Sequence, residues 1–150
     1  MKLEIRNARI TDLPFVYRGE EAYIRRWEPT HETHWREQLE RHLSRWVENV
    51  ERLFIATLDG QPVGYCLWMA EGDAAELCTL HVIEAQRGQG IGQALLDAYL
   101  SDARRHGFTR LTLGVRSDNP AKRLYEGAGF TQVGVNARGY RLYQHYRQPT

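Results

Sequence analysis

Arg87-Gly88-Gln89-Gly90-Ile91-Gly92 has the makings of an anion receptor. It joins a strand-like apolar run to a helical pattern. Glycine there lets the main chain approach a phosphate, and the unpaired N–H groups of the helix start point at it. The helix macrodipole adds partial positive charge. Several phosphate-binding families share the bare pattern, and its details exclude two. No Gly-Lys-Ser/Thr ending follows, so this is not a P-loop. A dinucleotide fingerprint needs a third glycine where Gln93 stands, and it belongs to an early strand-helix-strand unit. This turn follows four predicted strands. A turn that only packs a helix on a sheet is the plain alternative.

Other side chains carry weaker signals. Glu76 lies in a strand-like run, and strict alternation puts it on one face with Cys78, Leu80 and Val82, with His81 on the other. A strand cysteine such as Cys78 reads more simply as a small core residue than as a nucleophile. His31 and His34 flank Glu32 at a spacing that could suit a metal, but helix-start polarity explains them more simply, and no metal is expected. Tyr125, beside Leu124 on a short helical segment, reads by itself as core.

The elements that must hold these residues follow from periodicity. Residues 3–8 alternate as a half-buried strand, and Thr11, Asp12 and Pro14 open a helix over about 12–27. Trp35, Leu39, Leu43, Trp46, Val47 and Val50 repeat as one apolar stripe, which predicts a second continuous helix. Strands follow at 53–58, 63–69 and 74–83, the first two joined by the tight-turn pair Asp59-Gly60. A helix over 93–106 ends at Gly107, then come a strand at 108–115, a helix from Asn119-Pro120 to about 127, and strands at 131–136 and 140–146. Hairpins followed by strand-helix-strand crossovers imply a mixed sheet with helices packed on it.

Composition sets the bounds. The 150 residues suit one domain, residues 1–150, and 42% hydrophobic with 26% charged residues is ordinary globular usage. Twenty basic and 19 acidic side chains leave a net charge of +1, which argues against a nucleic-acid binder. No apolar run is long enough for a membrane span, and Met1-Lys2-Leu3-Glu4 opens no secretory signal. Cys66 and Cys78 read as reduced thiols, so a cytoplasmic location is expected.

Taken together, the motifs resemble a known family. Arg87 to Gly92 matches the Arg/Gln-x-x-Gly-x-Gly/Ala signature of the GNAT superfamily of acyl-CoA N-acyltransferases, set between Leu80-His81-Val82 and Ala94-Leu95-Leu96. A second family marker follows as Asn119-Pro120-Ala121, Leu124-Tyr125-Glu126 and Gly129-Phe130. The resemblance implies an α/β (α+β mixed) fold: a mostly antiparallel sheet of six to seven strands, flanked by about four helices and splayed between strands 4 and 5. It implies acetyl-CoA as acyl donor, its pyrophosphate on the amides of Arg87, Gly88, Gln89, Gly90, Ile91 and Gly92 with Gln93 close by. Pantetheine would pair near Leu80, His81 and Val82 and meet Asn119 and Ala121.

By the same resemblance Tyr125 protonates the departing thiolate, a role suited to a phenol of pKa about 10. Glu76, eleven positions before Arg87, matches the glutamate that some members use as general base, others using water chains. The acceptor loop would include Glu20, Tyr23, Trp27 and Glu28: carboxylates for a cationic amine beside aromatic walls, with Arg25 and Arg26 opposing. A small cationic or amino-acid-like primary amine is the expected acceptor, with a protein lysine or N-terminus as alternative. A non-catalytic acyl-CoA-binding module and a nucleotide-binding protein of unrelated fold are the competing classes. Dimers are frequent in the family, and Tyr140, Tyr143 and Tyr146 offer either an interface or core.

Overall fold

The computed structural model describes residues 2–146. Met1 and the Tyr146 side chain, both read above, lie outside the described residues. Seven strands form one sheet in the order β1-β2-β3-β4-β5-β7-β6. They are β1 (Leu3–Asn7), β2 (Leu53–Leu58), β3 (Gln61–Glu71), β4 (Ala74–Val82), β5 (Arg110–Arg116), β6 (Thr131–Val135) and β7 (Tyr140–Tyr146). Among the described residues only β4 and β5 run parallel; every other neighbouring pair is antiparallel. The helices are α1 (Leu13–Trp27), α2 (Glu32–Glu37), α3 (Leu39–Glu48), α4 (Ile91–Arg105) and α5 (Lys122–Gly127). This is the mixed, splayed sheet that the sequence predicts, with seven strands and one more helix.

Each sheet face has its own core. On one side α4 sends Ile91, Leu95, Leu96, Tyr99 and Ala103 onto Cys66, Trp68, Ala75 and Leu77. A fully buried side chain of this size contributes about 1.5–3 kcal/mol. On the other side Leu13, Val16 and Trp46 cover Leu53, Ile55, Tyr65 and Leu67. The start of α1 is anchored to β1 by Asp12, which accepts from Arg6 at 2.8 and 2.9 Å and from the Arg9 amide at 2.7 Å. The hairpin turn at Asp59 and Gly60 has both residues at positive φ, 49° and 84°, as the sequence pair demands.

Two expectations are corrected. The predicted second helix is two helices. The Trp35 carbonyl accepts from the Gln38 amide at 3.1 Å and lies 2.9 Å from the His42 ring, so the chain tightens at Gln38 and re-aims. Trp35 then stacks between Tyr17 and His42, and of the apolar stripe Trp46 is buried while Leu39, Leu43 and Val47 stay exposed. The second correction concerns β4. Leu67 pairs with Thr79 but Trp68 with Leu77, so Cys78 is an extra residue opposite β3. Such a bulge resets the alternation. Leu80 and Val82 turn to the α4 core, away from Glu76, and His81 returns to the α1 side, where its ring lies 5.4 Å from that of Tyr65.

Candidate active site

β4 and β5 pair from Ala74–Arg110 to Leu77–Leu113 and no further. Beneath the last pairs, the Tyr99 hydroxyl of α4 donates to the carbonyls of Ala75 (2.7 Å) and Thr112 (3.2 Å), tying the two strands together. Past that point both strands continue while their ladder has ended, and the gap opens into a cleft of about 460 Å³. Leu77, Cys78 and Leu113 lie at its closed end. One wall is Glu20, Tyr23 and Glu28 from the α1 region, another Trp35, His42 and Arg45 from α2 and α3. Asn119 and Tyr125 stand opposite, with Arg116, Arg138 and Tyr140 at the β5–β7 side.

The glycine turn lies past the open end of β4. Gly88 and Gly90 both have φ of 80°, a conformation that other residues reach only with strain. Gly90 caps α4, whose first main-chain bond runs from the Ala94 amide to the Gly90 carbonyl at 3.1 Å. The amides ahead of Ala94 therefore have no intrahelical acceptor. Ile91 is buried and pins the helix start to the core. Arg87 is held by its Nε on the Val82 carbonyl (3.2 Å), Gln89 on Gln86 (2.9 Å) and Gln93 on Asp97 (2.9 Å). The turn thus presents main chain at its centre, with side chains at its margin.

Each candidate side chain has a definite place. Tyr125 is buried at the cleft, and burial, with Cys66 nearby, pushes its phenol up to about 12. Asn119 lines the cleft while its Oδ1 accepts from the Ala121 amide at 2.9 Å. Glu28 is held by the Tyr140 hydroxyl at 3.0 Å and lies 3.9 Å from Arg116. Trp27 lines a neighbouring cavity of about 400 Å³, with Arg18, Arg26 and Arg87; Tyr23 and His81 border both spaces. Glu76 pairs with Met69 and Thr112 in the closed part of the sheet, outside the cleft lining. Its carboxyl is raised by burial and by Glu71.

Sequence reading missed Thr79, Tyr65 and Arg45. Glu20 shares a 3.4 Å hydrogen bond with the Thr79 hydroxyl, and burial raises its carboxyl to about 7. None of these residues belongs to a motif; the bulge and the packing of α1 bring them together. Cys66 faces α4 and Cys78 faces α1, both as free thiols, and burial raises Cys78 to about 11. Tyr143 of the last strand is core. Among the described residues no three His, Cys, Asp or Glu side chains form a metal-binding group, and no helix is long and apolar enough to cross a membrane.

A splayed mixed sheet with a glycine turn at its open end defines an acyl-transfer fold, and the comparisons agree. The family model for the acetyltransferase (GNAT) family matches residues 16–130. The chain belongs to that family. The ribosomal protein bS18-alanine N-acetyltransferase of Escherichia coli is 30% identical over 132 residues, 87% of this chain and 82% of its own length. A mycothiol acetyltransferase of Beutenbergia cavernae is 40% identical over 75 residues, but these are 48% of this chain and 25% of that protein. A second ribosomal alanine acetyltransferase, from Haemophilus influenzae, is matched over 56% of its length, so the chain spans only part of these two relatives. The PaiA N-acetyltransferase of Thermoplasma acidophilum, solved with coenzyme A, superposes with a TM-score of 0.84 over 98% of this chain and all of its own, at 19% identity. The ribosomal-protein-alanine N-acetyltransferase of Brucella melitensis gives 0.80 at 26% identity, over 96% of this chain and 99% of that one.

Proposed function

We propose that this acetyltransferase moves the acetyl group of acetyl-CoA directly onto a primary amine. The observation that carries the reading is the end of the β4–β5 ladder at Leu77 and Leu113. It leaves two strand edges unpaired beside a helix start whose amides ahead of Ala94 have no intrahelical acceptor, and beside a cleft lined by Tyr125. Pantetheine fits such a gap because its amides can pair with strand edges, while the diphosphate sits on residues 88–92. The Arg87 amide, expected to join them, already donates to the Glu84 carbonyl at 3.3 Å. The bulge at Cys78 frees main-chain donors where the thioester would lie, suited to a tetrahedral oxyanion. The amine nitrogen bonds to the thioester carbon, the C–S bond breaks, and the Tyr125 hydroxyl donates a hydrogen bond to the departing thiolate. Glu76 lies in the paired part of the ladder, outside the cleft lining, and would act on such an amine through water.

The acceptor enters on the α1 side, where Glu20 and Glu28 attract a cation locally, against Arg45, Arg116 and Arg138 elsewhere in the lining, and Tyr23 supplies an apolar surface for a small cationic or amino-acid-like amine. A peptide N-terminus is the second reading, favoured by similarity to the ribosomal alanine acetyltransferases over most of the chain. Free thiols at Cys66 and Cys78 suit a reducing, cytoplasmic setting. Thermal shifts with coenzyme A, ATP and NAD test the donor, since a ligand stabilises according to its affinity. Release of free CoA thiol with ethylamine, spermidine, alanine amide and an alanine-led hexapeptide tests the acceptor. Stabilisation by ATP or NAD but not coenzyme A would overturn the donor assignment. Turnover confined to the hexapeptide would select the second reading.

A further inference from the structure

Resting on that acetyl-transfer reading, we propose that Glu20 of α1 is the general base that takes the proton from the incoming ammonium. An alkylammonium has no free lone pair, so one N–H bond must break before attack. The proton passes to a Glu20 carboxylate oxygen, the freed nitrogen bonds to the acetyl carbon, and the C–S electron pair leaves with sulfur, which the Tyr125 hydroxyl hydrogen-bonds. The second N–H proton, made acidic by acylation of the nitrogen, passes through water to that sulfur, leaving a neutral amide and the coenzyme A thiol. Glu20 then returns its proton to solvent. The step is neutral in electrons and needs no further reactant.

Geometry selects this carboxylate. Glu20 lines the cleft with Cys78 and Thr79, the residues of the bulge where the sheet splits. Thr79 Oγ1 holds its Oε2 at 3.4 Å, and the buried Tyr65 hydroxyl faces it from β3. Gly19 is what lets α1 come so near: a Cβ there would lie 2.4 Å from a Tyr65 ring carbon. The groups facing Glu20 are Tyr65 on β3, Cys78 and Thr79 on β4, and Arg45 on α3. Burial raises the carboxyl to about 7, against the pull of the Tyr65 and Thr79 hydroxyls and of Arg45. A base with a pKa near the working pH combines a useful ionised fraction with real basicity.

The test compares ethylamine, a cation at neutral pH, with trifluoroethylamine, which has the same skeleton and is largely uncharged there. Coenzyme A affinity, read by calorimetry, verifies folding in each protein. Glu20→Gln should lower kcat/KM for ethylamine about a hundredfold and remove the acid limb near pH 7. For trifluoroethylamine it should cost less than about threefold, because no proton has to leave before attack. Thr79→Val removes a hydrogen bond that favours the ionised carboxylate, so the acid limb should move to higher pH. Equal loss on both amines would make Glu20 structural and overturn the proposal. So would an acid limb that survives Glu20→Gln or that disappears only in Glu76→Gln. If the unmodified protein binds coenzyme A yet acetylates neither amine, acetyl transfer to simple amines fails, and this base with it.

Discussion

Tyr125 sits almost wholly out of water on a short helix, between the core and the end of the cleft. Its phenol, raised to about 12, stays protonated across the working range, while an ordinary thiol ionises near 8.5. The hydroxyl therefore serves as a hydrogen-bond donor that stabilises the departing thiolate while keeping its own proton. Tyr125→Phe should lower kcat about a hundredfold and leave the Kd for coenzyme A within about twofold, read by steady-state kinetics and calorimetry. His81 behaves in the opposite sense. Burial, with Arg87 beside it, lowers its imidazole to about 4, so it is neutral wherever the enzyme would work. A pH–rate profile with a limb near 7 therefore reports a group other than His81.

At the scale of elements, the position of α1 decides the site. The Arg6–Asp12 pair ties its first turn to β1, and Gly19 lets its middle press against Tyr65. Glycine inside a helix costs about 1 kcal/mol relative to alanine, and the close approach is what offsets that cost. Gly19→Ala should force α1 off the sheet and destabilise the protein by about 1–3 kcal/mol, read as a lower urea midpoint with unchanged slope. The same variant should lower kcat/KM for amines more than affinity for coenzyme A, because Glu20 moves and the glycine turn does not. The break between α2 and α3 has a matching role. By turning at Gln38 the chain re-aims α3, and Trp35 of α2 lines the cleft together with His42 and Arg45 of α3.

Across the whole molecule, the sheet is two antiparallel blocks joined by a short parallel ladder. Tyr99 reinforces that joint by bonding a carbonyl on each side. Tyr99→Phe leaves both buried carbonyls short of a donor and should cost about 1–3 kcal/mol, with weaker coenzyme A binding, checked by urea unfolding and calorimetry. Stability should also depend on Glu20 in a defined direction. Its folded pKa lies above the unfolded value near 4.5. Its contribution is therefore fully present below about 4.5 and is lost as pH rises through about 7. Glu20→Gln should thus raise Tm at about pH 8, by roughly 2–4 °C per kcal/mol relieved, and the gain should shrink toward zero near pH 5. His81 works from the acid side, its contribution present above about 6.5 and lost as pH falls through about 4.

What could be read from residue order alone was local. Strand and helix periods, the Asp59-Gly60 hairpin, the glycine turn with its helix, and the Asn119-to-Phe130 segment each declare themselves within a few residues, because backbone sterics and amphipathic spacing act over that range. The separation of β4 from β5 and the place of Tyr125 at the cleft followed only through the family resemblance that those motifs carry, whereas its burial was legible from its neighbours on a short helix. The bulge at Cys78 left no such mark. It depends on how β3 pairs with β4, and it reversed the faces of Leu80, His81 and Val82. Glu20 was visible as an acidic residue on a helix, but its environment was not. Thr79 lies 59 positions away, and Tyr65 and Arg45 come from two further elements. A carboxylate's pKa and reach are set by which groups displace its water, and those groups meet only when the chain is folded.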